Sequence, residues 1–409
     1  MRVLLSTIGS RGDVQPLVAL ALQLRALGQE VRLCVPPDFR EWIEGLGLPM
    51  TPIGPEVRIF AASTPSAPLG LPSAELRRQL VDGTVATQFE TITLAAEGCD
   101  VIVGATALQV AAPSIAERMG IPYVFAAYCP VVLPSPHHAP PPLPLPGQSP
   151  APSNADNRDL WARDAERVNG TFGAALNSHR ASRGLAPVSD VRRHMFTDRP
   201  WLPADPTLAP WPDPVDQEVF QTGAWILPDE RPLSSELETF LDAGEPPIYF
   251  GFGSMRGTPD LGQVMVQTAR ALGRRAIVSR GWADLSLVDD DPDCLAIGEA
   301  NLQELFERVA AVVHHGGSGT TTVAALAGTP QVVVPQIYDQ HYWARRVQEL
   351  GIGTAHAPGA PTVDSLTSAL EHTLRPVMTA RARSIAAAVP RDGARVAAER
   401  LMAVGARLP

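Results

Sequence analysis

The sequence predicts an α/β protein with two doubly wound domains, each built on a parallel sheet. The 409 residues suffice for two cores of ordinary size rather than one. Short, nearly continuous apolar runs alternate with helical patterns in both halves, as expected of parallel strands covered by helices on both faces. Two proline-rich stretches, Tyr128 to Ser153 and Pro200 to Pro214, interrupt this alternation.

The first half opens with a strand, a turn and a helix. The apolar run Val3-Leu4-Leu5 leads to Gly9-Ser10-Arg11-Gly12, and a helical pattern extends from about Asp13 to Leu27 before a second strand candidate, Glu30 to Val35. This order is typical of the start of a doubly wound domain. Further strand candidates are Val101-Ile102-Val103 and Pro122 to Ala126.

The first proline-rich stretch, Tyr128 to Ser153, can form neither a helix nor a central strand. We interpret it as a lid or binding surface within a domain, because a helical pattern resumes at Asn157 to Ser182. An extended polyproline linker is the alternative.

The second proline-rich stretch, Pro200 to Pro214, predicts the interdomain connection. We expect an N-terminal domain over residues 1–205, a linker over 206–220 and a C-terminal domain over 221–385. The remaining residues, 386–409, belong to an Ala- and Arg-rich helical segment that we expect to pack toward the N-terminal domain.

The second half repeats the alternation of strands and helices. Its helix candidates are Thr320 to Ala327, Gln340 to Leu350 and Val377 to Val404. Its strand candidates are Pro247 to Gly251, Ala276 to Ser279, Cys294 to Ile297, Ala311 to His314 and Gln331 to Val334.

Composition and charge restrict the function classes. Apolar residues make up 45% of the chain and charged ones 19%, which is typical of a globular protein rather than a disordered one. The net charge of -10 argues against a nucleic acid partner. No apolar run is long enough for a membrane helix, so we expect a soluble, cytoplasmic protein. The four cysteines lack metal-ligand spacing and are expected to be buried, reduced thiols.

The segment His314-His315-Gly316-Gly317-Ser318-Gly319-Thr320-Thr321 predicts a phosphate site. It joins a strand to a helix, and its glycines allow backbone N–H groups to approach a ligand closely. The helix N-terminus adds partial positive charge. His315 can donate an imidazole N–H, while a plain capped turn is the alternative interpretation. The spacing fits neither a dinucleotide fingerprint nor a Walker loop.

Other strand ends carry polar side chains. Gly251-Phe252-Gly253-Ser254 closes a strand in the same half, so both turns are expected at one sheet edge. Asp339-Gln340 offers a carboxylate and an amide suited to sugar hydroxyls, or a helix cap. Trp282 could cover a planar base, or simply pack in the core or on the surface.

Asp13 lies at the strand-to-helix turn of the first half. As a helix N-cap it would be purely structural. As a general base it would need burial to raise its pKa, and Arg11 beside it could meet a phosphate.

Together these segments resemble the GT-B glycosyltransferases of the UDP-glycosyltransferase superfamily, in particular the actinobacterial enzymes that glycosylate vancomycin-type glycopeptide antibiotics. The resemblance spans nearly the whole chain. Besides the turns above, it rests on these segments: Asp13-Val14-Gln15-Pro16, Asn177-Ser178-His179-Arg180, Gln221 to Pro232 (QTGAWILPDERP), Ser279 to Asp284 (SRGWAD) and Asn301 to Phe306 (NLQELF).

The resemblance implies a GT-B fold, with two Rossmann-like domains facing a central cleft, and an inverting, metal-independent hexosyltransferase. Asp13 would deprotonate the acceptor hydroxyl, and Asp339 with Gln340 would hold the donor sugar. The acceptor would lie over Val57 to Ser73 and the Tyr128 to Ser153 loop. The implied nucleotide and diphosphate contacts are Ser10, Arg11, Gly12, Ser254, Trp282, Ala300, Gln303, His315, Gly317, Ser318, Gly319 and Thr320.

The resemblance also implies the substrates. A UDP- or dTDP-sugar would be the co-substrate, without a bound cofactor, and a natural-product aglycone would be the acceptor of a monomeric enzyme. A glycopeptide is the expected acceptor, with a sterol, flavonoid or macrolide as alternatives. An inactive sugar-nucleotide-binding homologue is the alternative of another class. Leu302 stands where many relatives have His, so nucleoside contacts there are open.

Overall fold

The computed structural model describes residues 1–58, 73–106, 108–141, 155–212, 218–254, 260–282 and 291–405. The chain forms two compact units. The first comprises Met1–Pro206, Pro210–Leu227 and Arg391–Pro409, and the second comprises Thr207–Ala209 and Pro228–Pro390.

The first unit contains a seven-stranded sheet of parallel strands in the order β3-β2-β1-β4-β5-β6-β7. Val3 pairs with Val31 on one side and with Val101 on the other, so β1 is central. The strand order reverses between β1 and β4, and ligands of such sheets bind beyond the carboxyl ends at this point. The strands are β1 Arg2–Thr7, β2 Glu30–Val35, β3 Met50–Pro52, β4 Val101–Ala105, β5 Tyr123–Ala126, β6 Trp201–Leu202 and β7 Phe220–Gln221.

Helices cover this sheet. Helix α1 buries Val14, Leu17 and Leu24 because they recur on one face at helical spacing. The helices are α1 Arg11–Ala26, α2 Arg40–Gly45, α3 Ala74–Ala95, α4 Ala112–Met119, α5 Asn157–Ala181 and α6 Val191–Phe196.

The second unit contains a six-stranded parallel sheet in the order β10-β9-β8-β11-β12-β13. Ile248 and Phe250 pack into one apolar cluster and Tyr249 into another, so both faces of the sheet are covered. Its strands are β8 Ile248–Gly251, β9 Ala276–Ser279, β10 Cys294–Ile297, β11 Ala311–His314, β12 Gln331–Val333 and β13 Gly353–Ala355. Its helices are α7 Ser235–Asp242, α8 Leu261–Ala271, α9 Leu302–Glu307, α10 Ser318–Ala327, α11 Gln340–Glu349, α12 Val363–Thr373 and α13 Pro376–Ala386.

The chain then returns to the first unit. Helix α14, Gly393–Gly405, packs against α1, and the Gly393 backbone lies against Gly223. The expected continuous helix from Val377 to Val404 is therefore wrong: it is split into α13 and α14, with Pro390 in the break because proline cannot continue a helix.

The prediction of two doubly wound α/β domains is confirmed, and the predicted strands of the second half differ from the observed ones by one residue at most. The boundaries differ more. The expected linker 206–220 and the start of the second domain at 221 give way to a division at Leu227, because β7 extends the first sheet.

The described part of the proline-rich loop contains one short turn and one isolated bridge. Pro130–Val132 forms a short 3-10 turn and Ser135 pairs with His138. Residues 142–154 lie outside the described residues, as do residues 59–72 of the expected acceptor surface.

All four cysteines are buried and free, as predicted. Within the described ranges, no helix combines the length and apolarity needed to cross a membrane.

Candidate functional site

The turn after β1 is closed by its own side chains. Ser10 is the N-cap of α1, and Asp13, three residues on, reaches back to it. Asp13 Oδ2 accepts a hydrogen bond from the Ser10 backbone N–H at 2.6 Å and another from Ser10 Oγ at 3.2 Å. Asp13 is therefore not the N-cap that one interpretation of the sequence offered. It is the third helical residue of a capping-box arrangement.

Gly9 gives the Asp13 carboxylate its space. A Cβ placed on Gly9 would overlap Oδ2 and the carboxyl carbon of Asp13. A side chain at position 9 would therefore displace the carboxylate, so the close approach requires glycine.

Burial makes Asp13 more basic than an ordinary carboxyl. It raises the pKa of Asp13 to about 6, while the hydrogen bonds from Ser10 act in the opposite direction. The Tyr128 hydroxyl donates to the Asp13 backbone carbonyl at 3.1 Å and so ties the helix to the segment after β5. Asp13 has the environment that the sequence analysis required of a base.

Arg11 faces α2. Its guanidinium carbon lies 3.5 Å from the centroid of the Trp42 ring, and its Nε donates to Gln15 Oε1 at 2.9 Å. Gly12, the next residue, is exposed. Trp42 could not be found from the sequence, because its contact with Arg11 joins two helices.

The turn after β11 is built around His315. A Cβ on Gly317 would lie 2.6 Å from His315 Nε2, so the ring packs directly on the glycine backbone. His315 Nδ1 is buried and has no hydrogen-bond partner among the described residues. Burial lowers the pKa of His315 to about 4, with the Gly251 backbone opposing the effect. The imidazole is therefore neutral near pH 7 and can donate one N–H.

The neighbouring histidine holds the turn in place. His314 Nδ1 accepts from the Gly316 N–H at 3.1 Å, so Nε2 carries the proton and donates to Gln331 Oε1 at 2.9 Å. Burial is the main cause that lowers the pKa of His314 to about 3, and the nearby His315 lowers it further. The sequence analysis missed this role. The signal for it was a polar residue, Gln331, at the start of an apolar strand.

The N-terminus of α10 follows directly. Gly317 is its N-cap, and no side chain in the described part of the chain caps the helix. The hydroxyls of Thr321 and Thr322 donate back to the carbonyls of Gly317 and Ser318 at 2.9 and 2.8 Å. The alternative of a plain capped turn therefore has no capping side chain among the described residues. The first-turn residues Ser318, Gly319 and Thr320 present backbone N–H groups and partial positive charge.

Two further turns lie at the same sheet edge. Ser254 follows β8, which pairs with both β11 and β9. Trp282 follows β9, and its backbone N–H donates to the Gly253 carbonyl at 2.9 Å. Both side chains are half-buried. The structure thus brings Ser254 and the His315 turn to neighbouring strand ends, as predicted for parallel strands, and Trp282 lies at the strand end next to Ser254.

The pair Asp339-Gln340 begins α11. Gln340 Oε1 accepts from the backbone N–H groups of Gln336 and Ile337 at 2.8 and 3.1 Å, and Asp339 Oδ2 accepts from Trp343 Nε1 at 3.2 Å. Each side chain thus helps to hold its own turn. A Cβ on Gly316 would lie 3.1 Å from the Gln340 carbonyl oxygen, so this turn adjoins the His315 turn.

Asn301 positions the remaining candidates, Ala300 and Gln303. Its Oδ1 accepts from the backbone N–H groups of Gln303 and Glu304, so it caps α9. Its Nδ2 donates to the carbonyls of Asp229 and Arg231, both at 2.9 Å. The signal for this cap was present in the sequence as Asn-x-x-Glu.

Family models match both halves of the chain. The Glycosyltransferase family 28 N-terminal domain matches residues 3–135, which include the Asp13 turn. The Erythromycin biosynthesis protein CIII-like, C-terminal domain matches residues 269–397, which include the His315 turn and Asp339-Gln340.

Individual proteins match over nearly the full length. Glycosyltransferase GtfE of Amycolatopsis orientalis is 53% identical, covering 100% of this chain and 99% of that protein. Vancomycin aglycone glucosyltransferase of the same organism is 51% identical, covering 98% and 97%. The crystal structure of the glycotransferase of kitacinnamycin has a TM-score of 0.74 at 19% identity, covering 100% of this chain and 99% of that one, which shows the shared fold.

With both domain models in order and half of all residues shared with these relatives, the chain belongs to the GT-B glycosyltransferases of the UDP-glycosyltransferase superfamily, in the group of the Amycolatopsis vancomycin-type enzymes.

Proposed function

We propose that this glycosyltransferase moves a sugar from a UDP- or dTDP-sugar to a hydroxyl of a glycopeptide antibiotic aglycone, with inversion at the anomeric carbon. The acceptor class is supported by near-full-length similarity to a vancomycin aglycone glucosyltransferase. The observation that carries the chemistry is the Asp13 carboxylate, held by Ser10 in surroundings that raise its pKa to about 6.

Asp13 acts as the general base. At neutral pH it is ionised, yet it binds a proton more readily than an ordinary carboxylate. Its Oδ2 accepts both hydrogen bonds from Ser10, so Oδ1 receives the proton of the acceptor hydroxyl. The acceptor oxygen attacks the anomeric carbon opposite the leaving nucleotide. One displacement inverts the centre, and an α-linked donor gives a β-linked product.

The His315 turn stabilises the leaving group. As the glycosidic C–O bond breaks, the diphosphate gains negative charge, and groups that bind this charge more strongly in the transition state accelerate the reaction. The first-turn N–H groups of α10 and the neutral His315 imidazole are such donors. Helix dipole and hydrogen bonds supply the stabilisation in this mechanism, and no metal is required.

The remaining candidates line the donor. The diphosphate contacts of this proposal are Ser10, Arg11, Gly12, Ser254, Gly317, Ser318, Gly319 and Thr320. Trp282, Ala300 and Gln303 border the nucleoside. Asp339 and Gln340, at the start of α11 beside the His315 turn, bind the sugar hydroxyls.

A mass-spectrometric transfer assay tests the function. UDP- and dTDP-glucose are each incubated with a vancomycin-type aglycone, a flavonoid, a sterol and a macrolide aglycone, and Asp13→Asn is the matched control. We expect a product one hexose heavier than the glycopeptide, made by the wild type only. Transfer to another acceptor alone would overturn the glycopeptide assignment, and nucleotide binding without turnover on any acceptor would indicate an inactive homologue.

A further inference from the structure

A chain of hydrogen bonds through two side chains joins both ends of the segment 316–321. His314 Nδ1 accepts from the Gly316 N–H at 3.1 Å, and His314 Nε2 donates to Gln331 Oε1 at 2.9 Å. Gln331 Nε2 donates in turn to the Thr321 carbonyl at 3.2 Å. Gly316 precedes α10 and Thr321 is a residue of that helix. The chain therefore fastens the segment that contains the proposed diphosphate contacts of this turn.

The two backbone ends fix the direction of every hydrogen bond in this chain. A carbonyl oxygen can only accept, and a backbone N–H can only donate. Because the Thr321 carbonyl takes an N–H of the Gln331 amide, the amide oxygen faces His314. The proton of the imidazole then lies on Nε2, and Nδ1 is left to accept from Gly316. The orientation of one amide thus selects the tautomer of the histidine.

Burial makes this selection necessary. His314 and Gln331 are both fully buried. Burial is also the main reason that the pKa of His314 falls to about 3, so the ring is neutral at pH 7 and can adopt either tautomer. A buried polar group that loses its partner destabilises the arrangement around it. With the proton on Nδ1, the ring could not accept from Gly316.

The strand does not need the Gln331 side chain. The backbone of Gln331 pairs with Val312 of β11, and its N–H donates to the Ile352 carbonyl at 3.0 Å. On the same face of the sheet, Val312 and Ala324 of α10 belong to an apolar cluster. Both hydrogen bonds of the amide are directed instead to the residues that begin and follow the turn.

Gly316 shows how closely this turn is constrained. Its φ of +92° lies in the region that favours glycine. A Cβ there would lie 2.7 Å from Val333 Cγ1, so the backbone of the turn packs directly on β12. The hydrogen bond to His314 therefore acts on a backbone position that no other residue type could occupy without strain.

We propose that Gln331 is a positioning residue of the diphosphate site, which acts through His314 by fixing its tautomer and thereby the backbone of the segment 316–321. The inference rests on the proposed function, since that function assigns the turn to the diphosphate. Gln331 contacts His314 and Thr321 and no reacting atom.

A double-mutant cycle tests the proposal. Gln331→Met keeps the length of the side chain and removes both hydrogen bonds, and it is compared with His314→Met and the double variant. UDP and dTDP affinities are measured by isothermal titration calorimetry. We expect each single variant to bind roughly tenfold more weakly, because the donors of the turn are displaced. The double variant should bind little more weakly than His314→Met, since Gln331 acts through His314.

Thr354→Val is the matched control for a general loss of stability. Thr354 Oγ1 and Thr373 Oγ1 form a partly buried hydrogen bond of 2.8 Å in the same unit, between β13 and α12. This variant should lower the free energy of unfolding and leave nucleotide affinity unchanged. The proposal would be overturned by wild-type affinity in Gln331→Met, by losses that multiply in the double variant, or by equal weakening in Thr354→Val.

The tautomer of His314 in the wild type can be measured without any variant of Gln331. A two-bond 1H–15N correlation spectrum, assigned by the loss of the signal in His314→Met, should show the proton on Nε2 and none on Nδ1. In Gln331→Met this preference should be lost. A wild type with the proton on Nδ1 would refute the proposal even if Gln331→Met fails to fold.

Neither the NMR spectrum nor nucleotide binding requires turnover. A wild type that binds UDP or dTDP and transfers no sugar would therefore refute the proposed function, while the cycle still decides the role of Gln331. Conversely, sugar transfer by a Gln331→Met variant with wild-type nucleotide affinity would refute only the role of Gln331.

Discussion

The turns after β1 and β11 have the same topology and opposite chemistry. Each follows a central parallel strand and opens a helix, α1 in the first unit and α10 in the second. In the first turn a carboxylate folds back onto the helix N-terminus and occupies it. In the second turn, Gly317 stands at the N-cap and no described side chain caps the helix. One turn holds a carboxylate of its own, and the other leaves its helix N-terminus without a capping side chain among the described residues.

Under the proposed mechanism, this difference lets one local structure serve both halves of the transfer reaction. Burial raises the pKa of Asp13 and lowers the pKa of His315, so each turn favours the neutral form of its titratable group. A buried carboxylate gains from taking up a proton, and a buried neutral imidazole gains from donating to a new anion. The side chains that surround each turn, rather than the fold, decide which of these it does.

Removing the Asp13 carboxylate should have the largest effect on turnover. In Asp13→Ala the acceptor hydroxyl loses its base, and we expect turnover to fall by a factor on the order of 10² or more. UDP affinity, measured by isothermal titration calorimetry, should stay nearly intact because the second turn is untouched. Unchanged turnover would remove the base from the mechanism.

A methyl group added at Gly9 should displace the Asp13 carboxylate without removing it. The added Cβ overlaps the Asp13 carboxylate, so Gly9→Ala should lower kcat roughly tenfold to hundredfold. Gly45→Ala is the matched control, since a Cβ there meets no atom within 4 Å. Equal kinetics of the two variants would show that the close approach is not needed.

The second turn is probed by His315→Ala. The diphosphate loses one donor, and we expect UDP binding to weaken by roughly tenfold or more, together with a lower kcat. His372→Ala, on the exposed face of α12, should leave both unchanged. Normal UDP affinity in His315→Ala would contradict the assignment of this turn to the diphosphate.

The pH dependence of activity and of stability should both report the raised pKa of Asp13 in the first turn. Below about pH 6 Asp13 is protonated, so kcat/KM should fall about tenfold per pH unit. Because the native pKa lies above the ordinary 3.8, the ionised carboxyl disfavours the native state, increasingly as the pH rises from 3.8 to 6. Asp13→Asn should therefore raise Tm at pH 8 and lose this advantage near pH 4. A Tm gain that is the same at both pH values would contradict the assignment.

The smallest effect is expected for Ser10→Ala. It removes the hydroxyl that donates to Asp13 but keeps the backbone N–H. We expect a loss of about 1 kcal/mol in the free energy of unfolding, measured by urea denaturation. Since this hydrogen bond lowers the pKa of Asp13, the midpoint of the pH profile should move upward. A downward movement of this midpoint would contradict the contribution of the Ser10 hydroxyl to the pKa of Asp13.

The fold was predictable because parallel strands leave a strong signal. Runs such as Ala311 to His314 are apolar throughout, since both of their faces are buried. The candidate positions at strand ends followed from topology. The spacing of Ser10 and Asp13, three residues apart, signals the capping box, whereas the structural alternative in the sequence had Asp13 itself as the N-cap.

Contacts between distant segments were beyond sequence reasoning. The sequence marks Gln331 as a polar residue in an apolar strand, but its hydrogen bond to His314 and the stacking of Arg11 on Trp42 form only through tertiary packing. Likewise, the sequence does not indicate that the side-chain oxygen of Gln340 accepts hydrogen bonds from the backbone N–H groups of Gln336 and Ile337. Neither the composition nor the periodicity of the sequence identifies such contact partners.

The return of the chain through α14 affects the order in which the protein can fold during synthesis. Apart from Thr207–Ala209, the second unit is one continuous segment, Pro228–Pro390, whereas the first is completed only when residue 391 and those after it have been made. Until then the side of α1 that α14 covers stays exposed. The unit that contains Asp13 should therefore finish folding after the unit that contains the His315 turn, although its synthesis begins first.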